Sequence, residues 1–337
     1  MNRIKIGIYG ICFNEVNFIE RCIESILNAD EIIICDTGST DGTLELLEKM
    51  QNIHSNLKVK RIYINPWRFD DARNCALNCL SDDIDICISI DIDELMEPGW
   101  YQLLSSEIEK DIIDKGKTFD RYNHRFKTIW DFETNNISEH WHERIHARQN
   151  YMWKLPVHEY IFKCDGTDED IKWLKNLQMT QKPDIKKSRG SYLPLLQQSI
   201  KEDKKRWKTF SFLAGELTNV GKFSEAIIAI DQAIKLQDSD KAFLYYQLSE
   251  INKIENNYDV AIMNMMNACM YSPNVREYFV YLAQIYLDIG MNVEAEITLK
   301  RASKITTRTY GYEYKECCWD ERFDYLVKKC KEKLCIV

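Results

Sequence analysis

The chain has 337 residues, with 45 Lys and Arg against 53 Asp and Glu and a formal net charge of -8. This acidic balance disfavours general nucleic-acid binding, because phosphate contacts need a dominant basic patch. No apolar stretch of about 18 residues is present and the N-terminus leads directly into a short apolar run, so neither a membrane span nor a signal peptide is expected. The 12 cysteines lack paired metal spacing, and free thiols in a reducing cytoplasm are the expected state.

The first part of the chain alternates short β-branched apolar runs with segments of helical period. This pattern is typical of a sheet whose strands are joined by crossover helices. Four strands with three crossovers predict a parallel sheet. The predicted strands are residues 5–12, 31–36, 59–64 and 85–91, and the predicted helices are residues 18–27, 44–50 and 70–80.

Polar side chains follow three of these strands at the point where each strand ends. Asn14 and Glu15 follow the first, Asp36 ends the second, and Asp91 and Asp93 end the fourth. Ligands of open α/β sheets bind beyond the carboxyl ends of the strands, and carboxylates there suit Mg²⁺ or Mn²⁺ holding a diphosphate. For each residue alone, a helix cap or a solvated acidic turn is the competing interpretation. Their convergence on one edge favours a nucleotide site.

Four segments in this order resemble the motifs of family 2 glycosyltransferases, which have the GT-A fold. They are residues 11–15 (ICFNE), 35–43 (CDTGSTDGT), 69–74 (FDDARN) and 89–94 (SIDIDE, with the Asp-x-Asp or DXD motif). The resemblance covers roughly residues 1–165 and implies a catalytic domain that binds a nucleotide sugar.

The resemblance also implies roles for single residues. The donor is UDP- or GDP-linked in such enzymes, with a UDP-sugar preferred here, and Mn²⁺ or Mg²⁺ accompanies it. The counterpart of Asp91 contacts the ribose, and that of Asp93 contacts the metal and diphosphate. The residues whose counterparts line the nucleoside site are Phe13, Asn14, Glu15, Asp36 and Arg73.

Five of the six histidines fall between residues 124 and 158. A zinc site is disfavoured because His140, His142 and His146 match no familiar closed ligand spacing. Solvated loops account for His124 and His140.

Residues 144–148 (RIHAR) and 157–159 (VHE) resemble family segments near the acceptor. Inverting transfer needs a base that takes the proton of the acceptor. Glu159 or His158 is the candidate, with Glu143 and Glu94 behind them. His158 is also a candidate metal ligand, since neutral imidazole binds metals well.

One segment departs from the family pattern. Similar chains fused to helical repeats often carry a further histidine just before the helical part, where residues 177–182 here read LQMTQK. If that histidine completes the metal ligands in relatives, this chain uses His158, water or the diphosphate instead.

The second half of the chain contains three self-similar windows: residues 221–227, 256–262 and 290–296. Ala226, Ala261 and Ala295 occupy equivalent positions, with spacings of 35 and 34 residues. This period predicts tetratricopeptide-like helix pairs, which stack to bury a continuous core. Such an array suits either an extended peptide or the pairing of two copies into a homodimer.

Together these patterns predict an α/β GT-A domain at residues 1–165, a connection at 166–208 and all-α repeats at 209–337. The expected activity is metal-dependent, inverting transfer of a sugar, with a protein or peptide side chain as the preferred acceptor. A cell-surface glycan or a lipid-linked acceptor is the alternative. A nucleotidyltransferase is disfavoured, because the Gly-rich basic loop that it would need is absent near residues 7–10. A non-catalytic repeat scaffold is also disfavoured, because it would not need Asp36, Arg73, Asp91 and Asp93.

Overall fold

The computed structural model describes residues 3–131, 136–183, 192–311 and 314–335. The chain divides into two compact units. One consists of residues 1–130 and 140–188, and the other of residues 131–139 and 189–337.

The first unit is an α/β unit built around an eight-stranded sheet. Its helices are α1 (Ile19–Ile26), α2 (Thr43–Ile53), α3 (Phe69–Asn78) and α4 (Trp100–Lys115). Its strands are β1 (Ile6–Cys12), β2 (Glu31–Asp36), β3 (Leu57–Arg61), β4 (Ile86–Asp91), β5 (Glu94–Met96), β6 (Arg121–Asp131), β7 (Asn136–Ala147), β8 (Tyr151–Lys154), β9 (Tyr160–Lys163) and β10 (Ile171–Gln181), of which β6 and β7 extend into the residues grouped with the second unit.

The strand order in the large sheet is β3-β2-β1-β4-β7-β6-β10-β5, and β8 pairs with β9 separately. The first four strands are parallel, as predicted. Cys12 of β1 is in register with Asp36 of β2, and Ile11 of β1 is in register with Asp91 of β4. The two aspartates therefore end the strands on either side of β1 at the same edge of the sheet.

Both faces of β1, β2 and β4 are covered, which explains their largely apolar sequences, whereas β3 at the edge of the sheet is mostly exposed. Ile8 and Ile88 are fully buried in a core that also contains residues of α1 and α4. Tyr9 and Cys87, the alternate residues of the same strands, are buried in a second core with residues of α3. The burial fixes the register of the strands, because a slip by one residue would exchange the two faces.

Two boundaries of the sheet differ from the prediction. The third strand spans Leu57–Arg61 rather than residues 59–64. The predicted connection at residues 166–208 contains β10, which pairs in parallel with β6 and antiparallel with β5. The sheet therefore continues past residue 165, because a strand contributed late in the chain completes its far side.

The second unit is a run of helices. They are α5 (Tyr192–Glu202), α6 (Trp207–Asn219), α7 (Phe223–Ile234), α8 (Lys241–Ile254), α9 (Tyr258–Tyr271), α10 (Arg276–Asp288), α11 (Asn292–Ser303) and α12 (Glu321–Cys335), with a short 3-10 helix at Glu316–Cys318.

The helices α6 to α11 form three successive pairs, which confirms the predicted repeats. Ala226, Ala261 and Ala295 are fully buried near the start of the second helix of each pair. Small side chains at these positions let the two helices of a pair approach closely, which accounts for their 34–35 residue recurrence. Within the described residues, no helix is both long and apolar enough to cross a bilayer.

Candidate active site

The centre of the candidate site is the carboxylate of Asp91, the last residue of β4. Its Oδ1 lies 2.7 Å from Nη2 of Arg73, and its Oδ2 lies 2.9 Å from Nη2 of Arg144. The two arginine side chains are only 6% and 12% exposed. Charge-assisted hydrogen bonds of this kind are strong and directional. Two guanidinium groups therefore fix the orientation of Asp91 at the end of the strand.

Arg73 lies in the middle of α3 and contacts three other segments. Its Nε donates to Oε1 of Glu159 at 2.5 Å, and its Nη1 donates to the hydroxyl of Ser89 at 3.3 Å. Its guanidinium carbon lies 5.1 Å from the centre of the Trp153 ring. The predicted nucleoside residue Arg73 and the predicted base Glu159 are thus direct partners in one buried network.

Glu94 is the fully buried acidic member of this network. Its Oε2 accepts the backbone N–H of Asp91 at 2.8 Å and Nη1 of Arg144 at 3.0 Å. Burial and the carboxylates of Asp91 and Asp93 raise the pKa of Glu94 well above its ordinary value, although Arg144 opposes the shift. Burial also disfavours the charge of Asp91, but Arg144 and Arg73 outweigh it and hold the pKa of Asp91 well below its ordinary value. The pKa values of the neighbouring carboxyl groups of Glu94 and Asp91 are therefore shifted in opposite directions, so Glu94 binds its proton more tightly than Asp91 does.

The loops after β1 and β2 hold each other in place. Asp36 Oδ1 accepts the backbone N–H groups of Gly38 and Ser39 at 2.9 and 3.1 Å. Asn14 has a positive φ of 56°; its side-chain oxygen accepts the N–H of Thr40 at 2.8 Å, and its own N–H donates to the hydroxyl of Ser39 at 2.9 Å. These contacts bring the predicted nucleoside residues Asn14 and Asp36 to one shared rim.

Phe13 and Glu15 flank Asn14 on this rim in different environments. The Phe13 side chain is 49% exposed, although it is large and apolar. Glu15 is buried, and its backbone N–H donates to the hydroxyl of Thr43 at 2.7 Å. An exposed aromatic ring beside a rigid polar loop is suited to stack on a planar base.

Asp93 follows β4 by two residues and is partly exposed. Its Oδ2 accepts the side-chain amide of Gln181 at 3.1 Å, and its backbone carbonyl accepts the N–H of Lys182 at 3.0 Å. Gln181 belongs to the segment in which the expected histidine is missing. A side chain from that segment therefore does reach Asp93, but it supplies an amide instead of an imidazole.

In the described part of the chain, no group of three or more His, Cys, Asp or Glu side chains is arranged to hold a metal ion. The predicted ligands Asp91, Asp93 and His158 thus form no ready-made three-residue set. Asp91 is held by two arginines, whereas Asp93 has a carboxylate at the partly exposed strand end. Mg²⁺ is commonly bound through one or two carboxylates together with substrate phosphates and water. The donor chemistry of Asp93 fits such an ion.

The three predicted catalytic residues lie in different environments. Glu159 is paired with Arg73, as described above. Glu143 is 45% exposed and its Oε2 lies 2.9 Å from Nη1 of Arg121. His158 has a positive φ of 50°. Its segment is anchored to the start of α3 by the N–H of Phe69, which donates to the carbonyl of Pro156 at 2.9 Å. The structure therefore links His158 and Glu159 to α3 and joins Glu143 to a separate ion pair.

The prediction that His124 and His140 are solvated loop residues is wrong. His124 lies in β6 and is fully buried, and His140 lies in β7 and is partly buried. The rings of His124, His140 and His142 lie near one another, with centroids 5.9 Å apart for the pair His124 and His142 and 5.5 Å for His140 and His142. Pairing between β6 and β7 buries these polar side chains, although nothing in their local sequence is apolar enough to predict it.

His146 belongs to another buried network behind the site. Its Nε2 lies 2.8 Å from the hydroxyl of Tyr9, and the indole N–H of Trp153 donates to the same hydroxyl at 2.7 Å. Its Nδ1 lies 2.8 Å from the carbonyl of Ala147. Burial lowers the pKa of His146 to about 4. This neutral imidazole supports Trp153, over which the guanidinium of Arg73 lies.

Two contacts of the site were absent from the sequence interpretation. Arg144 was noted within the RIHAR segment, but no partner was assigned to it, and Gln181 was noted only as a departure. Arg144 is 53 residues from Asp91, and Gln181 is 88 residues from Asp93. The local motif signalled Arg144 as a site residue, but no local signal identifies its partner.

Residues 9–172 match the model of the glycosyl transferase family 2. This part of the chain is a family 2 domain. The matched residues include the end of β1, the whole of β2 to β4 with Asp36, Arg73, Asp91 and Asp93, and also β6, β7 and Arg144.

Several curated proteins are similar to part of the family 2 domain. The lipopolysaccharide core biosynthesis glycosyltransferase LpsC of Rhizobium meliloti is 33% identical over 103 residues, which are 30% of this chain and 36% of that protein. The hyaluronan synthase of Pasteurella multocida is 31% identical over 116 residues, or 33% of this chain and 12% of that protein. The chondroitin synthase of Escherichia coli is 30% identical over 117 residues, or 32% and 16%. The match thus spans a third or so of LpsC and much less of the two synthases.

Solved structures that are similar to the chain include MamA, with 19% identity, a TM-score of 0.32 and coverage of 42% of this chain and 85% of that one. YrrB, described as a TPR protein with an unusual peptide-binding site, has 19% identity, a TM-score of 0.33 and coverage of 40% and 63%. The account of the helical unit depends on its own helix pairs and not on these distant likenesses.

Proposed function

We propose that the chain is a glycosyltransferase that moves a sugar from a nucleotide-sugar donor, preferably a UDP-sugar, to an acceptor. The observation that carries this proposal is the shared edge formed by Asp36, Asp91 and the two arginines, with Asp93 beside them. Membership of residues 9–172 in a glycosyltransferase family supports the same chemistry. A decayed, non-catalytic domain would have no need to retain two buried arginines on one carboxylate.

In this proposal the donor lies along the carboxyl ends of the parallel strands. The rim formed by Phe13, Asn14 and Asp36 binds the nucleoside. Glu15 is buried next to Asn14, and its backbone N–H joins the loop to Thr43. Asp91 receives the ribose, with its orientation fixed by Arg73 and Arg144. The arginines also make the site less negative, which favours an anionic diphosphate beside carboxylates.

Asp93 is the proposed ligand of a divalent cation, Mn²⁺ or Mg²⁺, together with the diphosphate oxygens. When bound there, such an ion supplies positive charge that stabilises the departing diphosphate. Gln181 donates to Oδ2 of Asp93 and so helps to fix the orientation of this carboxylate. Asp91 and His158 are the further proposed ligands, although Asp91 also forms ion pairs with Arg73 and Arg144.

Inversion requires a base on the side opposite the leaving group. Glu159 and His158 remain the proposed candidates, with Glu143 as a third. Glu159 is held in place by Arg73, whose Nε donates to its Oε1, so its carboxylate has a fixed position beside Asp91. A comparison of Glu159→Gln, His158→Ala and Glu143→Gln assigns the role. The base is the residue whose loss removes the lower-pH limb of the rate profile while nucleotide binding persists.

A protein or peptide side chain is the proposed acceptor, because stacked helix pairs present an extended surface of the kind that holds peptides. The relatives LpsC and hyaluronan synthase favour a second candidate, a glycan acceptor, since their names refer to lipopolysaccharide core and to hyaluronan.

The proposal is tested by incubating the full chain with Mn²⁺ and a panel of UDP- and GDP-sugars and measuring release of the nucleoside diphosphate. Adding peptides or oligosaccharides then separates the two acceptor classes. Release from one or more donors, stimulated by an acceptor, is expected. The proposal fails if no donor is consumed under any of these conditions and none binds.

A further inference from the structure

The imidazoles of His124 and His142 have buried ring nitrogens that the rest of the site does not explain. His124 is fully buried, and among the described residues neither of its ring nitrogens has a hydrogen-bond partner in good geometry, although the backbone of Tyr122 lies near the ring. The same is true of Nδ1 of His142. A buried polar atom without a partner is costly, so each one calls for an explanation.

These imidazoles adjoin the arginine and carboxylate centre. His142 is two residues from Arg144 on β7, and the charges of both Arg144 and Arg73 act on it. Arg144 also acts on His124. Since Arg144 holds Asp91, the two histidines border the site on the side of β7 and β6.

The order of the strands in the sheet relates the position of these two histidines to the parts of the donor. From β2 to β1 and β4, the strand ends carry Asp36, Asn14 and Asp91, which follow the donor from its base to its ribose in the proposed function. The next strands in the sheet are β7 and β6, which carry His142 and His124. In a nucleotide sugar the group that follows the ribose and the diphosphate is the sugar ring.

The protonation state of the histidines limits what they can bind. Burial, assisted by Arg144, lowers the pKa of His124 to about 3, although the nearby backbone of Tyr122 opposes the shift. Burial and Arg144 also lower the pKa of His142 well below its ordinary value. A neutral imidazole has one N–H donor and one acceptor. A sugar hydroxyl both donates and accepts, so it suits either kind of nitrogen, whereas an anionic group accepts from the N–H alone and gains no charge pairing from a neutral imidazole.

Phe126 gives this place an apolar wall. Its ring stacks on His142 with centroids 4.5 Å apart and an angle of 26° between the planes. The stacking fixes the plane of the imidazole and so the directions of its nitrogens. A metal is a poorer occupant, because no group of three or more His, Cys, Asp or Glu side chains in the described ranges is arranged to hold one.

We infer that His142, backed by His124 and Phe126, forms a subsite for a hydroxyl group of the donor's sugar ring. The inference depends on the proposed function and adds to it: the subsite selects a neutral, hydroxyl-bearing sugar. His142 is the residue assigned to the sugar, because the residue is partly exposed although its Nδ1 is buried, whereas His124 is fully buried.

Calorimetric titration of the full chain with Mn²⁺ tests this subsite. The ligands are UDP, GDP, UDP-glucose, UDP-galactose, UDP-N-acetylglucosamine and GDP-mannose. For a sugar nucleotide that the wild type binds, His142→Ala should weaken its affinity by about tenfold, the effect of one hydrogen bond to a buried group, and leave the affinity for the matching sugar-free nucleotide unchanged. His142→Gln, which keeps a donor and an acceptor, should recover part of the loss.

Two controls keep the result specific. His54→Ala, which removes a histidine that follows the end of α2, should change neither affinity. A donor analogue that lacks the sugar hydroxyl should bind the wild type less tightly than the parent donor does. It should bind His142→Ala as tightly as the parent donor does, as expected when the hydroxyl and the imidazole are partners. Melting temperatures identify any variant that binds poorly only because it is unfolded, and the analogue with the wild type then decides the question.

Equal loss for the sugar nucleotide and its sugar-free counterpart, or no loss for either, would overturn the subsite. If none of the nucleotides binds the wild type, the proposed function itself fails.

Discussion

Arg73 on α3 and Asp91 at the end of β4 are joined by a 2.7 Å ion pair between Nη2 and Oδ1, and the Arg73 side chain is 6% exposed. Removing one partner of a buried pair leaves an uncompensated charge and costs about 3–5 kcal/mol. We expect Arg73→Ala to lower the free energy of unfolding by this amount, because Glu159 loses its arginine and Asp91 loses one of its two.

The matched control for Arg73 is Arg61→Ala. The Arg61 side chain is 69% exposed, and its Nη2 lies 3.2 Å from Oε1 of Glu48. A solvated pair of this kind contributes less than about 1 kcal/mol. Urea unfolding of both variants makes the comparison. Similar small losses in both would contradict a buried, interdependent network around Asp91.

Stability should also fall on acidification because of buried histidines. The pKa values of His124 and His146 in the folded chain, about 3 and about 4, are below the ordinary 6.5. Between these values the unfolded chain binds more protons than the folded chain. The stability that the folded chain gains from keeping each imidazole neutral is therefore fully present above the unfolded pKa. It is lost as the pH falls towards the folded pKa, by about 1.4 kcal/mol per pH unit for each imidazole.

The variant His124→Leu isolates one of these imidazoles. Its unfolding free energy should depend less steeply on pH than that of the wild type, by about 1.4 kcal/mol per unit below about pH 6. Urea unfolding across this range measures the slopes. A wild type that is equally stable throughout, or a variant with an unchanged slope, would show that His124 is not buried in neutral form.

Gly10 marks the close approach of β1 to β4. A Cβ at this position would lie 2.6 Å from the backbone oxygen of Ile90, which cannot move without disrupting the sheet. We expect Gly10→Ala to destabilise the chain by about 1–3 kcal/mol, the usual cost of overpacking. Gly215→Ala is the control: apart from the chain neighbours of Gly215 and the backbone of α6 itself, no atom of the described residues lies within 4 Å of the added Cβ. That substitution should stabilise by about 0.5–1 kcal/mol, since alanine favours a helix. Thermal unfolding followed by circular dichroism distinguishes the two, and equal effects would be inconsistent with the described packing.

The repeats make a prediction of their own. Ala261 is fully buried near the start of α9, so Ala261→Leu should force α8 and α9 apart at a cost of about 1–3 kcal/mol. Met263 on the same helix is 56% exposed, and Met263→Leu should change little. Helical circular dichroism on heating measures both. Tolerance of leucine at position 261 would argue against tight helix pairing at the recurring alanines.

The parallel strands and their terminal carboxylates were predictable because their signal is local. The run that ends at Asp91 is continuously apolar and then turns acidic, and burial on both faces of a parallel sheet requires that pattern. The recurring alanines were predictable for a similar reason, since each repeat carries its own copy of the signal.

The far side of the sheet was not predictable in this way. In β6, His124 lies between Asn123 and Arg125, so its sequence resembles a solvated segment. Its burial results from pairing with distant strands, which no single window contains. The contact between Arg73 and Glu159 spans 86 residues and has the same origin. Both residues were identified as site residues, but their partnership required the fold.

The central claim is that this strand edge binds a nucleoside diphosphate together with a divalent cation through Asp93. Titration of UDP and GDP into the wild type, Asp93→Asn and the exposed control Asp82→Asn, each with and without Mn²⁺, tests it most directly. The account predicts that Mn²⁺ strengthens nucleotide binding to the wild type and to Asp82→Asn but not to Asp93→Asn. An identical effect of Mn²⁺ on all three proteins, or no nucleotide binding to the wild type, would contradict it.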